Sequence, residues 1–134
     1  MVYRNKSAHL GSALSMADLL TVLYFWYLKT DPGHPADPAR DRFILSKGHG
    51  GSGLYATLAA RGFFPREDLQ HYGQNGSNFS VHPSSHMLPG IEFSTGSLGH
   101  GLPVGVGMAL AARSDKKEYR VCVMMSDGDR KSVV

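Results

Sequence analysis

The sequence predicts an α/β protein, a parallel sheet flanked by helices. Two apolar runs of strand length, Arg42-Phe43-Ile44-Leu45-Ser46 and Tyr119 to Met125, are separated by helical and loop segments. Each run ends in a polar, glycine-containing turn: Lys47-Gly48-His49 after the first, Ser126-Asp127-Gly128-Asp129 after the second. The order helix, strand, helix, loop, helix, strand favours parallel pairing through right-handed crossovers.

The elements follow in order. Ser15-Met16-Ala17-Asp18 opens the first helix as a box-like cap, with Asp in the place usually taken by Glu or Gln. Leu19, Leu20, Val22, Leu23, Trp26 and Tyr27 recur at helical spacing and supply its apolar face. The helix ends before Asp31-Pro32-Gly33, and the proline-rich stretch to Pro38 is a surface loop. After the Arg42–Ser46 strand, Lys47 to Gly51 turns the chain into a helix from about Ser52 to Arg61, where Gly62 supplies a left-handed cap. Pro65 opens a short helix with Arg66, Glu67 and Asp68 in its first turn. A polar, glycine-rich loop runs from Gly73 to about Gly90, a helix from Gly99 to Ala112, and a buried strand from Tyr119 to Met125. In that last helix Gly101, Gly105 and Ala109 form a smooth ridge at four-residue spacing, suited to close packing on the sheet or on a second subunit.

The bulk composition excludes several classes. The 134 residues amount to one domain or part of one, with 42% hydrophobic and 19% charged residues, which reads as globular. The net charge is +3, and the basic residues form no stripe: the densest group, Arg113, Lys116 and Lys117, is interleaved with Asp115 and Glu118. Nucleic-acid binding is therefore not expected. No apolar stretch is long enough to span a bilayer, and Met1 leads into Tyr3-Arg4-Asn5-Lys6 with no apolar signal segment. Cys122 is the only cysteine, so no disulfide forms within the chain and a reducing, cytoplasmic setting is expected.

Two stretches carry the chemistry. Ser94-Thr95-Gly96-Ser97-Leu98-Gly99-His100-Gly101-Leu102 is a glycine-rich turn opening into small residues, where backbone N–H groups can approach a ligand. Val121 to Met125 is an apolar strand that stops at Asp127, and a carboxylate at a strand end is placed to hold a hard cation against phosphates. Together they point to a diphosphate-bearing cofactor held through a divalent metal, although Asp-Gly is by itself a common turn dipeptide. Among seven histidines, His34 and His71 read as surface residues. His82 and His86 have helical metal-ligand spacing, but Pro83, Pro89 and Gly90 make the segment a loop. His9, His49 and His82 each lie among glycine, serine or proline, and imidazoles converging on a sugar can bond its hydroxyls and move protons near neutral pH. No Gly-x-Ser-x-Gly follows a strand, and Gly96-x-x-Gly99-x-Gly101 lacks the dinucleotide-binding spacing.

Several long, ordered segments resemble the transketolase family, most closely the N-terminal subunit of its split form. They are Ser7-Ala8-His9-Leu10-Gly11-Ser12-Ala13-Leu14-Ser15, Asp41 to His49, Val81-His82-Pro83, Leu88-Pro89-Gly90-Ile91-Glu92 and Ser94 to Leu102. Deoxyxylulose-phosphate synthase, a relative sharing the cofactor, differs at Gly96-Ser97-Leu98-Gly99-His100-Gly101 and ranks below. The resemblance implies a thiamine diphosphate fold in which residues 1–134 form an incomplete diphosphate-binding domain, with Mg²⁺ or Ca²⁺ bridging protein and cofactor. It makes Asp127 the metal ligand and brings Gly128 and Asp129 to the diphosphate side, with Gly96, Ser97 and Leu98 on the aminopyrimidine side. His49 would reach the diphosphate, while His9 and His82 would bind donor-sugar hydroxyls. The implied reaction moves a two-carbon ketol unit between sugar phosphates, in a homodimer or heterotetramer completed by a C-terminal subunit or domain.

The departures are local. Ala8-His9-Leu10 stands where the family has Gly-His-Pro, and Ser126-Asp127-Gly128-Asp129 where it has Gly-Asp-Gly-Glu. After Asp129 the chain reads Arg130-Lys131-Ser132-Val133-Val134, whereas the family continues to an asparagine that completes the metal site. The resemblance thus covers about the first half of a cofactor-binding subunit, starting inside the family's first helix, and an isolated chain of this kind is expected to be inactive. A reading from another class is a non-catalytic transketolase-like remnant that only packs against related subunits.

Overall fold

The structure, a computed structural model, describes residues 1–132. Val133 and Val134, at the end of the departing segment, lie outside the described residues. Strands β1 (Arg42–Leu45) and β2 (Val121–Met124) pair in parallel, from Arg42 opposite Val121 to Leu45 opposite Met124. The expected parallel pairing is present. Asp41, just before β1, fixes the register: its buried carboxylate accepts from the Arg120 N–H at 2.8 Å, the Arg120 guanidinium and the Lys29 N–H. Burial alone would raise this carboxyl, but those donors outweigh it and hold it below the usual carboxylate range. Phe43, Ile44 and Leu45 of β1 are buried, whereas all four β2 residues are half-buried, so β2 is not the buried strand its apolar run predicts.

The helices surround this pair. After the short α1 (Leu10–Leu14), which the residue periodicity does not predict, α2 (Ala17–Val22) passes directly into a π-helical turn, Leu23–Tyr27. The cap residue of α2 is Met16, with no side-chain cap, and Ser15 Oγ instead donates back to the Ser12 carbonyl at 3.0 Å. The buried stripe is Met16, Leu20, Tyr24 and Leu28; of the six expected face residues, Leu19, Val22, Trp26 and Tyr27 are exposed and Leu23 is half-buried. This segment is apolar on every side, so periodicity alone does not choose a face. A four-residue repeat drifts around an α-helix, and the wider π turn brings Leu28 back to the buried side.

Helix α3 (Gly51–Arg61) packs on α1 and α2 and buries Leu54, Tyr55, Leu58 and Ala59. Gly62 ends it at φ 93°, as expected, with the Phe63 N–H returning to the Leu58 carbonyl at 3.0 Å. The segment after Pro65 is a 3₁₀ stretch, Arg66–His71. Beyond it the irregular loop is held by edge-to-face rings: Tyr55 with Tyr72 and Phe79, and Phe64 with Phe79. Helix α4 (Gly101–Ser114) lies on the sheet through Gly101 and Gly105, where a Cβ would collide with Ser46 and Val123. The small-residue ridge meets the sheet there, but it does not continue to Ala109, which is exposed; Ala112 is the next residue buried. A last short helix, α5 (Asp127–Lys131), follows β2 where the sequence predicts only a turn.

Candidate functional site

Three imidazoles from three separate segments meet beyond the end of β1. His49 stands in a 3₁₀ turn, Gly48–Gly50, that leads from the strand into α3. His9 precedes α1 in the left-handed region, at φ 70°, which costs a non-glycine residue roughly 1–2 kcal/mol. That backbone brings its ring to 4.9 Å from His49, centroid to centroid. The His82 ring lies 4.8 Å from His49 and 6.3 Å from His9. Its Nε2 is buried with no hydrogen-bond partner among the described residues. Burial, and then the neighbouring His49 and His9, push the His82 pKa down, which favours a neutral ring at pH 7.

The glycine-rich turn links this cluster to the end of β2. A Cβ on Gly96 would lie 3.3 Å from the His82 ring. One on Gly48 would lie 2.7 Å from both the Gly96 nitrogen and Thr95 Oγ1, so the turns after β1 and before α4 interlock only because both glycines lack side chains. Thr95 Oγ1, like His82 Nε2, is buried without a partner. At the other end, a Cβ on Gly128 would meet Leu98 Cδ1 at 3.1 Å. Gly96 to Leu98 therefore lies beside the His82 ring at one end and beside Gly128 at the other. Ser97 is exposed between them.

The two aspartates of Ser126-Asp127-Gly128-Asp129 have opposite environments. Asp127 is exposed. Asp129 is fully buried and its carboxylate is enclosed by protein donors. Oδ1 accepts from Ser46 Oγ at 2.6 Å and the Gly99 N–H at 3.0 Å, while Oδ2 accepts from the Ser126 N–H at 2.9 Å and Ser126 Oγ at 3.0 Å. Ser126 Oγ in turn accepts from the Asp129 N–H, which completes a reciprocal capping box on α5. Burial opposes the charge, yet the Gly99, Ser46 and Ser126 donors prevail and hold the carboxyl below its usual range. Asp129 thus points into the protein, tying the ends of β1 and β2 to the glycine-rich turn.

The structure gathers His9, His49 and His82 in one cluster and sets Gly96 and Leu98 between it and Gly128. His34 is an exposed partner of Asp31, and His71 and His86 are exposed, in keeping with the surface and loop readings. Sequence reasoning did not single out Thr95 or the Ser46–Asp129 bond; a polar residue directly before a close-approach glycine was the available signal for Thr95. A separate groove of about 340 Å³ between the N-terminal segment, α1, α2 and α3 is lined by Leu10, Leu14, Phe25 and Ala56 and carries no charged side chain, so it is remote in chemistry from this cluster. Among the described residues no helix is long and apolar enough to cross a membrane.

Comparison with known proteins identifies the family. Residues 1–128 match the family described as transketolase, thiamine diphosphate binding domain. The chain is 48% identical over 130 residues to an apulose-4-phosphate transketolase subunit of Phocaeicola vulgatus, covering 97% of this chain and 46% of that protein. It is 43% identical over 121 residues to the 6-deoxy-6-sulfo-D-fructose transketolase subunit SqwG of a Clostridium species, covering 90% and 44%. Among solved structures, transketolase from Leishmania mexicana superposes with a TM-score of 0.86 at 33% identity, over 97% of this chain and 21% of that one. The chain thus spans less than half the length of the curated relatives it matches. The chain belongs to the transketolase family, as part of its thiamine diphosphate binding domain.

Proposed function

We propose that these residues form the diphosphate-holding half of a transketolase site that transfers a two-carbon ketol unit between sugar phosphates, completed by a further domain or subunit. The observation that carries the reading is the cluster of His9, His49 and His82 beside a glycine-rich turn that has Gly96 next to the His82 ring and Leu98 next to Gly128. The fit to the cofactor rests on this geometry. An exposed carboxylate at a strand end suits a hard divalent cation such as Mg²⁺ or Ca²⁺. The places a Cβ would take at Gly128 and Gly96 are closed by Leu98 and the His82 ring, which brings those side chains against bare backbone, and Thr95 Oγ1 and His82 Nε2 are buried polar atoms with no partner among the described residues.

Thiamine diphosphate, when bound, supplies the carbon centre that accepts and releases the ketol unit. The chain's own part is positioning and proton handling. Asp127 holds the cation, and Gly128 allows the phosphates close to the backbone. Gly96, Ser97 and Leu98 line the approach to the ring portion, and His49 faces the diphosphate. His9 and His82 bind donor hydroxyls, and the neutral His82 can accept a hydroxyl proton at Nε2. Asp129, with its carboxylate enclosed, acts as a positioning residue that aims Asp127 and the glycine-rich turn. Ligation by Asp127 alone leaves a cation with open positions, which suits a site finished by phosphate, water and the rest of the domain.

The test is a chimera in which residues 1–128 replace the matching segment of the Phocaeicola vulgatus protein, with the rest of that transketolase supplied in the assay. The expected result is ketol transfer that needs added thiamine diphosphate and Mg²⁺. His9→Ala or His82→Ala is expected to lower kcat by about 10²-fold or more at saturating cofactor, with cofactor affinity little changed. A folded chimera that binds no cofactor overturns the reading, and loss of cofactor binding with normal kcat reverses the histidine assignment.

A further inference from the structure

We infer that His9, His49 and His82 also form a binding site for a divalent transition ion of the zinc class. One ligand nitrogen from each ring lies within 4.8 Å of the other two. Three imidazoles at zinc bonding distance sit about 3.3 Å apart, so each nitrogen needs to move inward by under about 1 Å, within reach of ordinary side-chain rotation. The donor set chooses the ion. Three neutral nitrogens with no carboxylate suit Zn²⁺, Co²⁺, Ni²⁺ or Cu²⁺, whereas Mg²⁺ and Ca²⁺ require oxygen ligands. The cluster is therefore chemically distinct from the exposed Asp127 carboxylate proposed for the hard cation.

Two further features favour occupancy. His82 Nε2 is buried without a partner, so a metal bond would satisfy an atom that now has none. His9 is exposed and His49 half-buried, which leaves an entry path and an open coordination position for water. Three protein ligands with an open fourth position make an exchangeable site rather than a closed structural one. On the donor-sugar reading of the same rings, ion and sugar hydroxyls exclude one another; that consequence rests on the proposed function, whereas metal binding does not.

Titration of the purified chain with Co²⁺, followed by its visible d–d absorption, tests the site without any turnover. The expected result is one equivalent of four- or five-coordinate Co²⁺, displaced by Zn²⁺ and not by excess Mg²⁺. His9→Gln and His82→Gln should each weaken Co²⁺ binding by about tenfold or more with unchanged far-ultraviolet circular dichroism, while His34→Gln should leave it unaltered. His9 is exposed, so His9→Gln serves even where a change at His82 disturbs the loop. Absence of the d–d band, a band that survives both substitutions, or a band lost with His34→Gln would each overturn the site.

Discussion

Asp127 and Asp129 stand two positions apart, and their surroundings assign them different work. Asp129→Ala would leave the Gly99 N–H, Ser46 and Ser126 donors without their acceptor in a buried place. A loss of roughly 3 kcal/mol is expected in urea unfolding. Asp127→Ala should change stability by no more than about 0.5 kcal/mol, because the residue is exposed. The acid response gives the sign. Asp129 and Asp41 have folded pKa values below those of the unfolded chain. Their contribution is fully present above the ordinary carboxylate range and is lost as pH falls through the folded values. Thermal stability should therefore weaken steadily below about pH 4, and Asp129→Asn should flatten that acid limb. At this scale the convergence of His9, His49 and His82 and the exposed position of Asp127 after β2 were legible, because polar residue types stand out among glycines and prolines. It was misleading for Asp129, since an Asp after Asp-Gly carries no mark of whether its carboxylate faces solvent or four donors.

Among the elements, α4 shows how sharply local packing decides the effect of one methyl group. Gly105→Ala sets a Cβ against Val123, and Gly101→Ala sets one against Ser46, so each should destabilise by about 1–3 kcal/mol. A Cβ on Gly107 would meet nothing within 4 Å among the described residues, and Gly107→Ala should stabilise by up to about 1 kcal/mol through helix propensity. Opposite signs in chemical denaturation, Gly107→Ala against the other two, would verify the packing of α4 on the sheet, and a common sign would refute it. The parallel strands, α3 with its Gly62 cap, and α4 were legible because each has a clear period and punctuation. The buried face of α2 was not, because Leu19, Val22, Trp26 and Tyr27 are as apolar as the residues that are buried. Nor was α5: its cap is Ser126, and a capping box of Ser and Asp around Asp-Gly reads equally well as a turn.

For the whole molecule, the organising fact is that two strand ends and one glycine-rich turn converge, and that the matched relatives are more than twice as long. A polypeptide of these 134 residues alone is expected to give a blank rate in a coupled ketol-transfer assay, since the site is proposed to be completed by a further domain or subunit. Turnover by the pure chain would refute that division of labour. The central claim is narrower: Asp127 and Gly128 hold a diphosphate through a divalent ion. The most direct measurement is phosphorus-31 NMR of thiamine diphosphate titrated with the purified chain, which registers weak binding that turnover does not. Shift and broadening of the diphosphate resonances should appear with Mg²⁺, vanish with EDTA, and be lost in Asp127→Ala with its circular dichroism unchanged. Binding that persists in Asp127→Ala, or that is indifferent to Mg²⁺, would contradict the account.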